Sequence, residues 1–380
     1  MRKTTVAIAV LGITAATALS ACSSSGKKSG SSSPASGSSP VSSAAGSSGT
    51  GGALDGKGAK VGIILPETGT SQRWITADPV ALKADCDKAN LKCDIANAQG
   101  NAATMKSIAE KMESNNVKVL MLVAIDPSSA AAIEQGAKAK GILTVDYDRF
   151  VDGGTASLYV SFDNTKVGEL QGQALTKCSQ VQGQSAVKYV QIDGAPTDNN
   201  AALFKKGYES VLPKTPGWKL IDDQTGNWDV PTAKTVFTKM LQATPSLKAV
   251  MVANDDMAGG VVSVLQNQNL NGKVAVGGQD ATAAGLQRIL SGDQCYTIYK
   301  PSKDEAGAAV DAVVQLVNGK PVTTKDTITS KNGSKTPAIL ATTAQIITKA
   351  NVKTVIADGY ASKAAVCTGK YAALCAQAGI

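Results

Sequence analysis

From Lys60 onward, short apolar runs alternate with amphipathic ones, and this rhythm restricts the fold more than any other feature of the chain. Residues 61–65, 93–96, 117–123, 142–145 and 158–161 read as strands, and 77–90, 101–114 and 127–140 as helices between them. In the second of those helices Met105, Ile108, Ala109 and Met112 recur at helical spacing; the third opens on Asp126-Pro127. The pattern then restarts. Residues 186–192, 218–221, 247–252, 274–276 and 296–298 read as strands, and 165–178, 199–212, 231–243, 257–268, 282–291 and 302–317 as helices, the last ended by Asn318-Gly319. Strands and helices in strict alternation predict an α/β protein with parallel sheets covered on both faces. The length, 380 residues, exceeds one typical core, so two such units are expected, changing over near Phe162.

The chain before Lys60 has another character. Arg2 and Lys3 precede an apolar stretch from Val6 to Leu19, and Leu19-Ser-Ala-Cys22 follows. This is the pattern of an export signal, too short in its apolar part for a membrane-spanning helix. Its ending resembles the lipobox of bacterial lipoproteins, which implies cleavage after residue 21 and acylation of Cys22. Residues 22–58 are nearly all Ser, Gly, Ala and Pro and cannot bury enough apolar surface to fold. They read as a tether with a reach on the order of 30 Å. An extracytoplasmic domain held to the membrane by its lipid is the expected arrangement.

The cysteines fit an oxidising compartment. Seven are present, and without Cys22 six remain, an even number that allows 15 disulfide connectivities. Cys86 and Cys93, and likewise Cys367 and Cys375, are close enough in sequence to pair locally, which leaves Cys178 with Cys295. Histidine is absent, which removes Ser-His-Asp triads, HExxH zinc sites and imidazole acid–base chemistry. With no CxxC either, neither a metal nor a cofactor is expected. The net charge of +8, to which Arg2 and Lys3 contribute two, is spread through helical segments rather than gathered into a patch, so nucleic-acid binding is not expected.

In open α/β sheets ligands bind beyond the carboxyl ends of the strands. After the strand at 61–65 come Arg73 and Trp74, and after 142–145 come Asp148 and Arg149. Later strands lead to Asp198, Asn199 and Asn200, to Trp228, to Asn254 and Asp255, to Gln279 and Asp280, and to Lys300. Carboxylates and amides accept from hydroxyls, a guanidinium donates in a fixed fork, and an indole covers a C–H face. That set suits a sugar. Taken singly, Asn and Asp after strands also serve as turn residues and N-caps, and Asp255 reads as the N-cap of the helix at 257–268. Trp74 and Trp228 also suit core packing, and Asp148–Arg149 also suits a plain ion pair.

Tyr147-Asp-Arg149, Tyr159-Val-Ser-Phe-Asp-Asn164, Lys166-Val-Gly-Glu-Leu-Gln171, Thr197-Asp-Asn-Asn-Ala201, Asn254-Asp-Asp-Met-Ala-Gly-Gly260, Gly277-Gly-Gln-Asp-Ala281 and Tyr299-Lys-Pro301 occur in this order. Together they resemble the D-xylose-binding proteins of bacterial ABC importers, within the ribose/galactose-type periplasmic binding proteins. The resemblance runs from Lys60 to about Tyr360. It implies a type I fold, two Rossmann-like lobes joined by three hinge strands and closing on one sugar, with no enzymatic activity. It places the first lobe at 59–161 plus about 300–328 and the second at 162–299 plus about 329–380, with crossings near Phe162, near Lys300 and around 327–335. It makes Arg73, Trp74, Asp148 and Arg149 first-lobe contacts, and Asn199, Trp228, Asn254 and Asp280 second-lobe contacts, with Lys300 by a hinge. Asn200, Asp255 and Gln279 would support them. Both Cys178 and Cys295 would lie in the second lobe. Pro66-Glu-Thr-Gly-Thr-Ser-Gln-Arg-Trp74, the six cysteines and the tail at 367–380 depart from the pattern, which widens the expected ligand from D-xylose to a related pentose or hexose such as glucose. The implied partners are the monosaccharide and an ABC permease, with the protein a monomer; a sugar-sensing module serving a membrane receptor is the alternative.

Overall fold

The computed structural model describes residues 55–380 except Thr70. The expected signal peptide, Cys22 and most of the tether lie outside the described residues. Seven strands form the first sheet: β1 (Lys60–Leu65), β2 (Lys92–Asn97), β3 (Val119–Leu122), β4 (Leu143–Tyr147), β5 (Leu158–Phe162), β11 (Asp326–Thr329) and β12 (Lys335–Ala341). Their order is β11-β12-β5-β4-β3-β1-β2, parallel except for β11 against β12. Every residue of β3 is buried, as expected of a central parallel strand covered on both faces. One face is covered by α2 (Asp78–Lys88) and α10 (Ser302–Val317), whose Leu82, Ala306, Val310 and Val313 pack with Val61, Ile63 and Met121. The opposite face takes α3 (Ala102–Ser114) and α4 (Pro127–Ala139) through Met105, Met112 and Ile133. A short α1 (Arg73–Thr76) sits between β1 and α2.

The second sheet runs β7 (Trp218–Thr225), β6 (Val187–Asp193), β8 (Ala249–Val252), β9 (Ala275–Val276), all parallel. Backbone bonds from Cys295 N to Val276 O and from Asp280 N to Ile298 O extend it to β10 (Thr297–Tyr299), which pairs antiparallel with β13 (Gln345–Ile347). Around it pack α5 (Asn164–Thr176), α6 (Asn199–Glu209), α7 (Val230–Ala243), α8 (Asp255–Asn267) and α9 (Ala283–Ser291). After β13 the chain ends in α11 (Val352–Ala357), α12 (Lys363–Val366) and α13 (Tyr371–Gln377), whose Val355, Val366 and Cys375 pack with Leu286 and Ile289 of α9.

One boundary differs from expectation. Residues 327–335 do not cross between sheets; they belong to the β11–β12 hairpin, because β12 pairs with β5 from Ala338–Tyr159 to Ala341–Phe162. The third crossing therefore follows Ala341, beside the first, where Asp163 N donates to Ala341 O at 2.9 Å. Cys86–Cys93, Cys178–Cys295 and Cys367–Cys375 are all disulfide-bonded.

Candidate functional site

The carboxyl ends of both sheets contribute to one small cavity, about 30 Å³. Ser71, Arg73, Trp74, Asp148 and Arg149 line it from the first sheet's side, and Asp198, Asn200, Phe204, Trp228, Asn254, Gln279 and Asp280 from the other, with Lys300 at the crossing. It falls below the roughly 300 Å³ at which drug-sized pockets begin, because the polar side chains of the two sides meet directly.

On the first side Arg73, 3% exposed, is gripped by carboxylates. Its Nε and Nη2 donate to Asp78 at 2.8 and 2.6 Å, Nη1 to Asp148 at 2.7 Å and Nη2 also to Glu305 at 2.5 Å. Burial alone would lower the guanidinium's affinity for its proton, but Asp78, Asp148 and Glu305 outweigh it, so Arg73 stays charged. Asp148 sits at φ 63°, a left-handed conformation that costs a non-glycine residue on the order of 1 kcal/mol. Three donors on its carbonyl hold it there: Tyr159 Oη at 3.0 Å, Ser161 Oγ at 2.8 Å and Asn200 Nδ2 at 3.0 Å. Burial pushes its carboxyl up, but Arg73, Lys300 and Arg149 outweigh that and hold it below the ordinary value. Arg149 donates to Ala124 O at 3.1 Å.

On the second side Asp198 caps α6 by accepting from Asn200 N at 2.9 Å. Its other oxygen accepts from Trp228 Nε1 at 3.2 Å and lies 3.1 Å from Arg149 Nε across the cleft. Asn200 reaches back to Asp148 Oδ1 at 3.0 Å. Asn254 caps α8 through Met257 N at 3.0 Å. Asp280, at φ 92°, accepts from Ser71 Oγ at 3.2 Å and faces Lys300 Nζ at 3.3 Å, while that ammonium lies over the Phe204 ring at 5.2 Å. Trp228, at φ 58°, lays its ring on the backbone of Gly194; a Cβ there would fall 2.0 Å from a ring carbon, so only glycine fits.

Three charge pairs, Arg73–Asp148, Arg149–Asp198 and Lys300–Asp280, thus balance one another in the cavity wall. Some hydrogen-bonding capacity is unspent. Trp74 Nε1 is buried without a partner, and Arg149 Nε and Asp280 Oδ1, though within ion-pair reach of Asp198 and Lys300, make no well-directed hydrogen bond. Buried polar atoms normally find partners, so the wall is built for a ligand that both donates and accepts.

Most residues read from the sequence converge here, with two corrections. Asn199 is only half-buried and does not line the cavity; Asp198 and Asn200 do, because successive helical residues point about 100° apart and only one of the two amides can face the cleft. The cap of α8 is Asn254 rather than Asp255. Asp255 lies behind the wall, accepting from Thr282 N at 2.9 Å and Gln294 Nε2 at 2.7 Å, and Gln279 Nε2 donates to Ala253 O at 2.9 Å. The sequence reading missed Ser71, Phe204, Asp78 and Glu305. Glu305 stands 232 residues from Arg73, and no local pattern ties the two.

Burial raises three carboxyls of the second sheet's side that do not line the cavity: Asp255 to about 7, and Asp256 and Asp193 to about 6. Such groups bind protons more tightly folded than unfolded, so stability falls as pH rises from the ordinary value of 3.8 toward 7 and then levels off. Groups held below 3.8, such as Asp148, act only at more acidic pH. Melting curves at pH 5.5 and 8.0 are expected to show the lower midpoint at pH 8.0, with a smaller difference in Asp255→Asn; a higher midpoint at pH 8.0 would contradict this.

Residues 61–321 match the periplasmic binding protein domain. The chain is 34% identical to the D-xylose-binding periplasmic protein of Escherichia coli, over 81% of this chain and 92% of that one. It is 31% identical to a multiple sugar-binding periplasmic receptor of Rhizobium radiobacter, over 79% and 89%. Among solved structures, a carbohydrate transporter solute-binding protein of Chloroflexus aurantiacus in complex with D-glucose superposes with a TM-score of 0.72 at 28% identity, covering 80% of this chain and 97% of that one.

Proposed function

The chain belongs to the periplasmic binding protein family, and on that footing we propose that it captures one neutral monosaccharide between two closing lobes and delivers it to an ABC importer. The observation that carries this reading is the wall of three balanced charge pairs, with Asn200 and Asn254 beside them and Trp74 and Trp228 at its edges. Hydroxyls can bridge each pair, and the charged side chains that line the cavity, three of each sign, call for no ionic ligand. The first lobe takes residues 59–161 and 300–341, the second 162–299 and 342–380. Sugar touching both lobes only when they are closed shifts the equilibrium toward the closed form, which the permease reads. The contacts across the cleft, Arg149–Asp198 and Asn200–Asp148, exchange for contacts to hydroxyls as the ligand enters.

The expected ligand is D-xylose or a related pentose or hexose such as glucose. The relatives' names, for D-xylose and for multiple sugars, support that range. Cys22 carries the lipid that holds the protein at the outer face of the membrane, a reading that rests on the Leu19-Ser-Ala-Cys22 sequence. No turnover of glycosides is expected. A second reading, sugar sensing, is favoured by the likeness to a protein named as a receptor; the capture step is the same in both.

Calorimetry with neutral pentoses and hexoses, a uronic acid and an amino sugar tests the proposal. At least one neutral sugar is expected to bind at about micromolar or tighter, roughly −8 kcal/mol. Its charged analogues should bind at least about 100-fold more weakly, since an added charge would be buried without a counter-ion. Binding of no neutral sugar, or preference for a charged one, would overturn it.

A further inference from the structure

Arg73 does more than meet a ligand. A guanidinium has five N–H donors. Nε and one Nη2 hydrogen go to Asp78, the other Nη2 hydrogen to Glu305 and one Nη1 hydrogen to Asp148, which leaves one Nη1 hydrogen for the cavity that Arg73 lines. The grip comes from three places in the chain: Asp78 starts α2, Asp148 follows β4, and Glu305 lies in the first turn of α10. Asp78 is itself locked, accepting from Tyr147 Oη at 2.8 Å and Ser302 Oγ at 3.0 Å. Glu305 is fully buried, and its second oxygen has no hydrogen-bond partner, so its contact with Arg73 accounts for the hydrogen bonding of its carboxyl.

We propose that Glu305 is a positioning residue of the sugar clamp: it turns the Arg73 guanidinium so that Asp148 is held on one Nη1 hydrogen and the ligand meets the other. The inference rests on the sugar-binding reading above. Helix α10 begins two residues after Lys300, so the crossing that carries Lys300 to Asp280 also carries Glu305 to Arg73. The position of this hinge segment is thereby transmitted to the first lobe's clamp. The Arg73 Nη2 hydrogen needs one acceptor oxygen at this place, and the amide of Gln offers one in the same position, so a side chain of the same shape should serve.

The experiment is calorimetry of wild type, Glu305→Ala and Glu305→Gln with the sugar that binds wild type best and with its monodeoxy analogues, alongside melting curves. In wild type, one analogue, lacking the hydroxyl that meets Arg73, should bind about 10-fold more weakly than the parent. Glu305→Ala should bind the parent about 10-fold more weakly and show no further loss with that analogue, the coupling expected when one contact is removed twice. Glu305→Gln should restore binding to within about threefold. Wild-type affinity in Glu305→Ala, a parallel loss for parent and every analogue, or failure of both variants to fold would overturn the proposal. Sugar binding by wild type separates these outcomes from failure of the underlying reading, which would show as no binding to any sugar.

Discussion

Arg149→Ala is expected to weaken sugar binding by at least about 100-fold while the melting midpoint of the sugar-free protein moves by only a few degrees. In the closed cleft Arg149 lies 3.1 Å from Asp198 and 3.7 Å from Glu67, all three largely buried. Burial pushes the Asp198 carboxyl above its ordinary value even with Arg149 beside it. Removing one partner of a buried pair typically costs about 3–5 kcal/mol, since the other charge is left alone. If the lobes close on a sugar as proposed, that cost falls on closure rather than on folding, because Arg149 and Asp198 come from opposite sides of the cleft. The guanidinium's unspent Nε donor is lost as well. Arg149→Lys should recover little, lacking the planar fork. Affinity unchanged in Arg149→Ala would reduce the residue to a structural ion pair.

The second large effect concerns stability. Replacing both Cys178 and Cys295 by Ser is expected to lower the melting midpoint by about 10 °C or more, the largest drop among the three disulfides. The bridge spans 117 residues, against 7 for Cys86–Cys93 and 8 for Cys367–Cys375. Loop-closure entropy in the unfolded chain then gives about 4.9 kcal/mol for the long bridge and about 2.5 kcal/mol for each short one. The long bridge joins the end of α5 to the segment whose Cys295 N pairs with Val276 O at the sheet edge, just before the Lys300 crossing. Melting curves of the three double-Ser variants should rank accordingly; equal or reversed shifts would mean that the unfolded chain is already constrained.

The two sheets were legible because their strands announce themselves: Val61 to Leu65 and Val119 to Leu122 are short apolar runs between amphipathic helices. The β11–β12 hairpin was not. Asp326–Thr329 is polar and mostly exposed, and Lys335–Ala341 alternates weakly, so nothing local showed that β12 would extend the first sheet beyond β5. In the site, Asp148, Arg149, Trp228, Asn254 and Asp280 were readable because each follows a strand at its carboxyl end. Three of these five, Asp148, Trp228 and Asp280, adopt positive φ, a strain that residue type alone does not disclose. Choosing between Asn199 and Asn200 needed the helix phase, and finding Asp78 and Glu305 needed the tertiary fold, since their charges act on Arg73 from separate helices. Burial and long-range pairing decide those roles.

A crystal structure of the protein grown with D-xylose or D-glucose decides whether a sugar occupies the cleft as proposed. One pyranose should lie between Asp148–Arg149 on one side and Asn200, Asn254 and Asp280 on the other, with Trp228 along a ring face and the Arg149–Asp198 contact exchanged for contacts to hydroxyls. A sugar bound elsewhere, or a cleft with Arg149 and Asp198 still paired and no sugar at a saturating concentration, would contradict it.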